Sequence, residues 1–276
     1  MTSDVPGAAG GAAGSPANSA FRRFAKTMLS HHHGAPHSEH AAAEVYQTST
    51  MAALLDGIYD GEVSVGELLG HGDFGLGTFN HLDGEMVVLG GVCHHLRADG
   101  SASVAATDEH TPFAAVTWFQ PEQTLPMTEP AERAEVEARI DAAIKTGNLI
   151  QAIRITGMFS RVLTRTVMAQ TPPYPPLTEA TADQQVNELR DATGTLAGFR
   201  TPDYEQGISV PGYHLHFIDE SRTRGGHVLD FEIKQGTATI ATSSELHLSL
   251  PRSPAFLTAN MSMANIAEQI HQTEGG

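Results

Sequence analysis

Cysteine is nearly missing from this chain, which carries one, Cys93, among 276 residues. A lone cysteine excludes an intrachain disulfide and suits a reducing compartment. Positive charge is scarce as well: 16 Lys and Arg stand against 32 Asp and Glu, a formal net charge of −16. Such a surface repels phosphate, so neither nucleic acid nor an anionic membrane is expected as a partner. Apolar runs fall short of the roughly 18 to 20 residues needed to cross a bilayer. The N-terminal VPGAAGGAAGSPANSA is too broken by glycine and proline to form the apolar core of a signal peptide. Together these absences lead us to expect a cytoplasmic protein.

Histidine, by contrast, is plentiful, with 15 in the chain. The stretch YHLHFIDESRTRGGHVLDF, Tyr213 to Phe231, places two of them at His214 and His216. Alternate residues of a strand share a face, so both imidazoles point the same way. The polar run from Asp219 to Gly226 reads as a loop between antiparallel strands, with His227 just beyond it. If His216 pairs with His227, their Cβ atoms approach to about 5.5 Å, with His214 one pleat away. Three imidazoles converging on one point form the donor set of a catalytic zinc site. Manganese, iron and cobalt suit similar donors. His94 and His95, being adjacent, face opposite sides of a strand and are not expected to act as joint ligands.

Two rival readings use the same residues. His214-x-His216 followed by Glu220 imitates the first motif of a cupin-like metal enzyme, in which Glu220 would be a ligand; no second motif accompanies it. A non-catalytic metal-binding protein could instead capture ions with the tail residues His31, His32, His33, His37 and His40.

Residues 1–44, rich in glycine, alanine and histidine, read as a flexible tail. Ser49 or Thr50, and then Ser64 with Glu67, cap two helices expected to be two turns each. Asp83-Gly84, Gly90-Gly91 and Asp99-Gly100 separate the short runs of a β-meander. A strand is expected over 112–119. Thr128 and Pro130 then open a helix with Val136, Ile140, Ala143 and Ile144 on one face, ending at Gly147. Leu149 to Val167 reads as two strands about Thr156-Gly157, with Arg161, Leu163, Arg165 and Val167 on one face of the second. Thr171 to Leu177, with its four prolines, is the expected boundary between domains 45–170 and 171–276. Beyond it, runs at 195–199, 212–218, 227–233, 237–241 and 245–250 suggest an antiparallel sheet. Met263, Ile266, Ala267 and Ile270 mark a terminal helix.

Several of these segments, taken together, resemble one family. STMAALLDGIYDGEVSVGELLGHGDFGLGTFNHLDGEM at Ser49 to Met86, TRTV at Thr164 to Val167 and GYHLHFIDESRTRGGHVLDF at Gly212 to Phe231 are similar to α-acetolactate decarboxylase. The resemblance implies an α/β (α+β) fold of two domains, a mixed β-sheet domain and an antiparallel β-sheet domain, with the metal site in the cleft between them. It implies Zn2+ on His214, His216 and His227, and catalytic roles for Arg165, Glu85, Glu274 and Thr78. The implied reaction turns acetolactate into acetoin and CO2 through a metal-stabilised enediolate protonated on one face. The implied assembly is a homodimer.

Overall fold

The computed structural model describes residues 44–182, 184–261 and 265–274. Residues 1–43 of the expected tail, its histidines and Met263 lie outside the described residues, while Glu44, placed in the tail from sequence, opens the first strand.

Strand β1 (Glu44–Thr48) leads to helix α1 (Met51–Leu55), where the Thr50 hydroxyl accepts the Ala53 N–H. β2 (Val63–Ser64) runs into α2 (Val65–Leu68), capped by the Ser64 hydroxyl on Glu67 N–H. The caps are the expected ones, but each helix is a single turn of five or four residues. So short a helix cannot hold itself and is kept by packing. Met51, Leu54, Val65 and Leu68 are all buried.

The meander follows: β3 (Phe74–Thr78), β4 (Glu85–Leu89), β5 (Val92–Leu96) and β6 (Ala102–Val104). Gly90 and Gly91, both at positive φ, make the two-residue hairpin that pairs Leu89 with Val92. β7 (His110–Thr111) pairs with β2, and β8 (Ala114–Thr117) occupies the middle of the strand expected over 112–119. β9 (Gln123–Met127) and β10 (Ala131–Glu132) precede α3 (Arg133–Ala143). α3 starts later than Thr128 because Ala131 and Glu132 are held in a ladder, and Ile144 rather than Gly147 ends it.

β11 (Ile150–Thr166) is one strand of 17 residues, with no turn at Thr156-Gly157. β12 (Gln185–Thr201), β13 (Gly212–Asp219) and β14 (Gly225–Ser243) follow, and β14 fuses the expected runs 227–233 and 237–241. Gly157 pairs with Gly194 on one side and Gly236 on the other. A Cβ at Gly157 would stand 2.4 Å from Gln235 O. The glycine here permits close approach of neighbouring strands, not a reversal. Between β11 and β12 lies α4 (Leu177–Ala180). The chain closes with β15 (Glu245–Ser249), α5 (Pro254–Thr258) and α6 (Ile266–Glu274).

Two large sheets result. A seven-stranded mixed sheet has the order β15-β1-β8-β3-β4-β5-β6, with β1 and β15 parallel. The other is antiparallel, β10-β14-β11-β12-β13, with β9 added on β14. β15, expected in the C-terminal antiparallel sheet, instead borders β1. Thr171 to Leu177 joins two neighbouring strands of one sheet, β11 and β12. The halves 45–170 and 171–276 are thus interleaved: each large sheet takes strands from both sides of the connector.

Phe74, Leu76 and Val87 of the mixed sheet pack with Ile150, Ala197 and Phe199 of the antiparallel one, so the sheets share a core. α3 covers the far face of the antiparallel sheet through Val136 and Ile140. α1, α4 and α6 gather in a further cluster around Leu54, Leu177, Ile266 and Ile270. Each of these buried aliphatic side chains contributes about 1.5–3 kcal/mol relative to exposure. No helix among the described residues is long and apolar enough to cross a membrane.

Candidate metal centre

His214 and His216 project from β13 and His227 from β14, and His216 stands opposite His227 in the ladder, the pairing expected from their spacing. The three ring centroids lie 5.0–5.3 Å apart. One ligand atom from each falls within 4.8 Å of the others. Glu220, the extra ligand of the cupin-like reading, is exposed in the turn after β13 and is not among these groups.

His216 shows what the cluster is suited to hold. Its Nδ1–H donates to Met86 O at 2.7 Å, so Nε2 keeps the lone pair. That atom is buried and, among the described residues, has no hydrogen-bond partner. An orphaned acceptor on an imidazole oriented through its other nitrogen fits a metal ligand. His227 Nε2 lies 3.1 Å from Glu274 O, which turns its Nδ1 towards the Glu274 carboxylate at 3.6 Å. Burial first, then the Arg165 charge, pushes His214 down to about 3. Burial likewise takes His216 to about 3, and His227 falls well below the usual range. All three imidazoles are therefore neutral at ordinary pH, the form that binds cations.

Ionisable groups ring the histidines. Glu274 Oε2 is 3.5 Å from His214 Nε2 and 3.5 Å from Arg165 Nη2. Glu85 Oε2 is 3.6 Å from His216 Nε2. Arg165, only 3% exposed, donates through Nη1 to Gln184 Oε1 at 3.0 Å. Burial and then the charge of Glu274 push Glu85 up to about 8, against a smaller opposing pull from Arg165. Burial raises Glu274 too, with Arg165 opposing. Two carboxyls near one guanidinium thus favour sharing fewer than two negative charges. Thr78 lines the same cavity, but its hydroxyl is engaged, donating to Gly84 O at 2.6 Å. It secures the chain just before Glu85.

Thr78, Glu85, Arg165, His214 and Glu274 line a cavity of about 30 Å³. Its other wall is apolar, made of residues the sequence does not assign to the site: Met51, Leu54, Leu82, Phe113, Val167 and Leu177. They come from five separate chain segments, and ordinary hydrophobic periodicity marks them only as core. Arg165 and Glu274 carry no local signal of function either; their place in the site became legible through the family resemblance. The histidines declared themselves by spacing.

A family model described as alpha-acetolactate decarboxylase matches residues 45–263. The alpha-acetolactate decarboxylase of Klebsiella aerogenes is 45% identical over 237 residues, 86% of this chain and 91% of that protein. That of Bacillus subtilis strain 168 is 42% identical over 233 residues, 84% and 91% of the two chains. The crystal structure of alpha-acetolactate decarboxylase from Bacillus subtilis strain 168 superposes with a TM-score of 0.83, covering 84% of this chain and all of that one.

Proposed function

The chain belongs to the alpha-acetolactate decarboxylase family and is a decarboxylase, a carbon–carbon lyase; from that premise we propose that it works with Zn2+ held by His214, His216 and His227. The observation carrying this reading is that three neutral imidazoles cluster with a buried guanidinium and two carboxyls, and that His214, Arg165, Glu85 and Glu274 of this group line one small cavity. A divalent ion there supplies Lewis-acid charge to the substrate oxygens that take up the electron pair left by CO2.

The protein's own groups do the rest. Arg165 receives the carboxylate of acetolactate: its guanidinium is permanently charged, and its buried Nε has no partner among the described residues. Held there, the carboxylate is oriented for cleavage of the bond to the adjoining carbon. Loss of CO2 from a carboxylate consumes one proton per turnover. Glu85, kept largely in its acid form by burial, donates that proton to the carbon CO2 has left. Because the donor stands on one side of the cavity, the resulting acetoin has one hand. Glu274, between Arg165 and His214, balances the cationic side of the site. The apolar wall of Met51, Leu54 and Phe113 accommodates the substrate's methyl groups and keeps competing water away.

Racemic acetolactate supplied to the purified protein tests this, with chiral acetoin measured before chelation, after chelation and after zinc is returned. Single-handed acetoin that vanishes and reappears with the metal is expected; turnover indifferent to chelation would remove zinc from the reading. The reading also includes a homodimer in the cytoplasm, which suits a chain with one buried cysteine. Sedimentation of the metal-loaded protein checks the dimer.

A further inference from the structure

His95 lies one strand from the site, and the chemistry proposed above makes no use of it. Its side chain is 2% exposed. Nε2 stands 2.6 Å from Asp83 O, and a carbonyl only accepts, so this nitrogen donates. Nδ1 likewise donates to Glu109 Oε2 at 2.9 Å, while the other oxygen of Glu109 accepts the Ala106 N–H at 2.5 Å. The ring stacks on Phe79, with centroids 3.9 Å apart and planes at 18°. Imidazole, carboxylate and aromatic face thus hold one another in a single orientation.

What this assembly grips is the corner before Glu85. Gly84 sits there at φ +75, and a Cβ on it would come 2.2 Å from Leu96 O and 3.3 Å from His95 Nε2. The corner is pressed against β5. Thr78 holds Gly84 O from the other side at 2.6 Å, and Glu85 itself is registered between Thr78 and Leu96. Asp83 O, the atom His95 binds, lies two residues before the carboxyl that enters the cavity.

We propose that His95 is a positioning residue for the reaction: by holding the Asp83 carbonyl it sets where the Glu85 carboxyl stands against the substrate. The proposal rests on Glu85 being the proton donor. A displacement of about 1 Å in a reacting group can cost around a hundredfold in rate, so a tie this close to Glu85 acts on turnover, not on metal binding.

The test uses the full chain loaded with zinc. Gln in place of His95 can set an amide N–H near the position of Nε2 and keep the Asp83 contact. Asn reaches only as far as Nδ1 and keeps the Glu109 contact. We expect His95→Gln to retain most of the turnover. His95→Asn should lose roughly ten- to a hundredfold in kcat with KM little changed, keep one bound zinc, and give acetoin of lower enantiomeric excess. Unchanged kcat and enantiomeric excess in His95→Asn would overturn the proposal. If that variant does not fold, nitrogen-15 NMR of the unaltered protein decides: a slowly exchanging Nε2–H on His95 supports the tie, and a rapidly exchanging one refutes it. Glu85→Gln, assayed in parallel, separates the two levels. Full turnover there removes the donor and the proposal with it, whereas loss of turnover there beside an unaffected His95→Asn strikes the positioning role alone.

Discussion

At His216 the backbone oxygen of Met86 takes one ring nitrogen and leaves the other facing the cluster. Replacing it with Ala should therefore lose metal and turnover together, by elemental analysis and assay; a variant still holding stoichiometric zinc would contradict the ligand assignment. Glu85→Gln should behave differently, keeping the ion and losing roughly 10²- to 10⁴-fold in kcat, the usual worth of a positioned acid. The same residue sets a pH limit. With its carboxyl pushed up to about 8, the acid form prevails below that value, so kcat should decline as pH rises through it. A kcat profile flat well into the alkaline range would exclude Glu85 as donor. Among individual residues the histidines were the most legible in the sequence, because a period of two and one hairpin pairing suffice to converge them. Glu274 sits at the end of a helix whose own pattern says only that Ile266 and Ile270 face inwards.

The elements carry separate shares of the site. β13 and β14 bear the three clustered histidines, β11 bears Arg165, β4 bears Glu85 and α6 bears Glu274. α6 is short, and it is anchored among α1 and α4 by Ile266 and Ile270. Ile270→Ala removes about 2–5 kcal/mol of packing. Turnover should fall as Glu274 leaves its place, while bound metal stays near one equivalent because the ligands lie on the sheet. Equal loss of metal and activity would show that α6 supports the histidines as well. At this scale the meander was readable because Asp-Gly and Gly-Gly turns punctuate it. The 17-residue β11 was not, since Gly157 carries the same letter as a turn glycine. Its need for a missing side chain comes from Gln235 and Gly236, nearly 80 positions away in the chain, and no local pattern reports that.

At the scale of the whole molecule, two sheets and a cap of short helices meet around the cavity, and the described fold begins at Glu44. Deleting residues 1–42 should leave kcat and metal content unchanged; a fall in metal capacity would favour the tail-based binding reading. The expected pairing of a mixed with an antiparallel sheet is present, but the chain weaves between them, and composition alone could not show β15 returning to lie beside β1. Viewed as mechanics, His216 is gripped from two directions, its backbone rooted in the antiparallel sheet and its ring tethered to Met86 of the mixed sheet. Sliding one sheet over the other would tilt that ring before much else gave way. The stiffness of the shared core is thus also a stiffness of the histidine cluster, and a softened interior anywhere between the sheets would be felt as a looser spacing of its three rings.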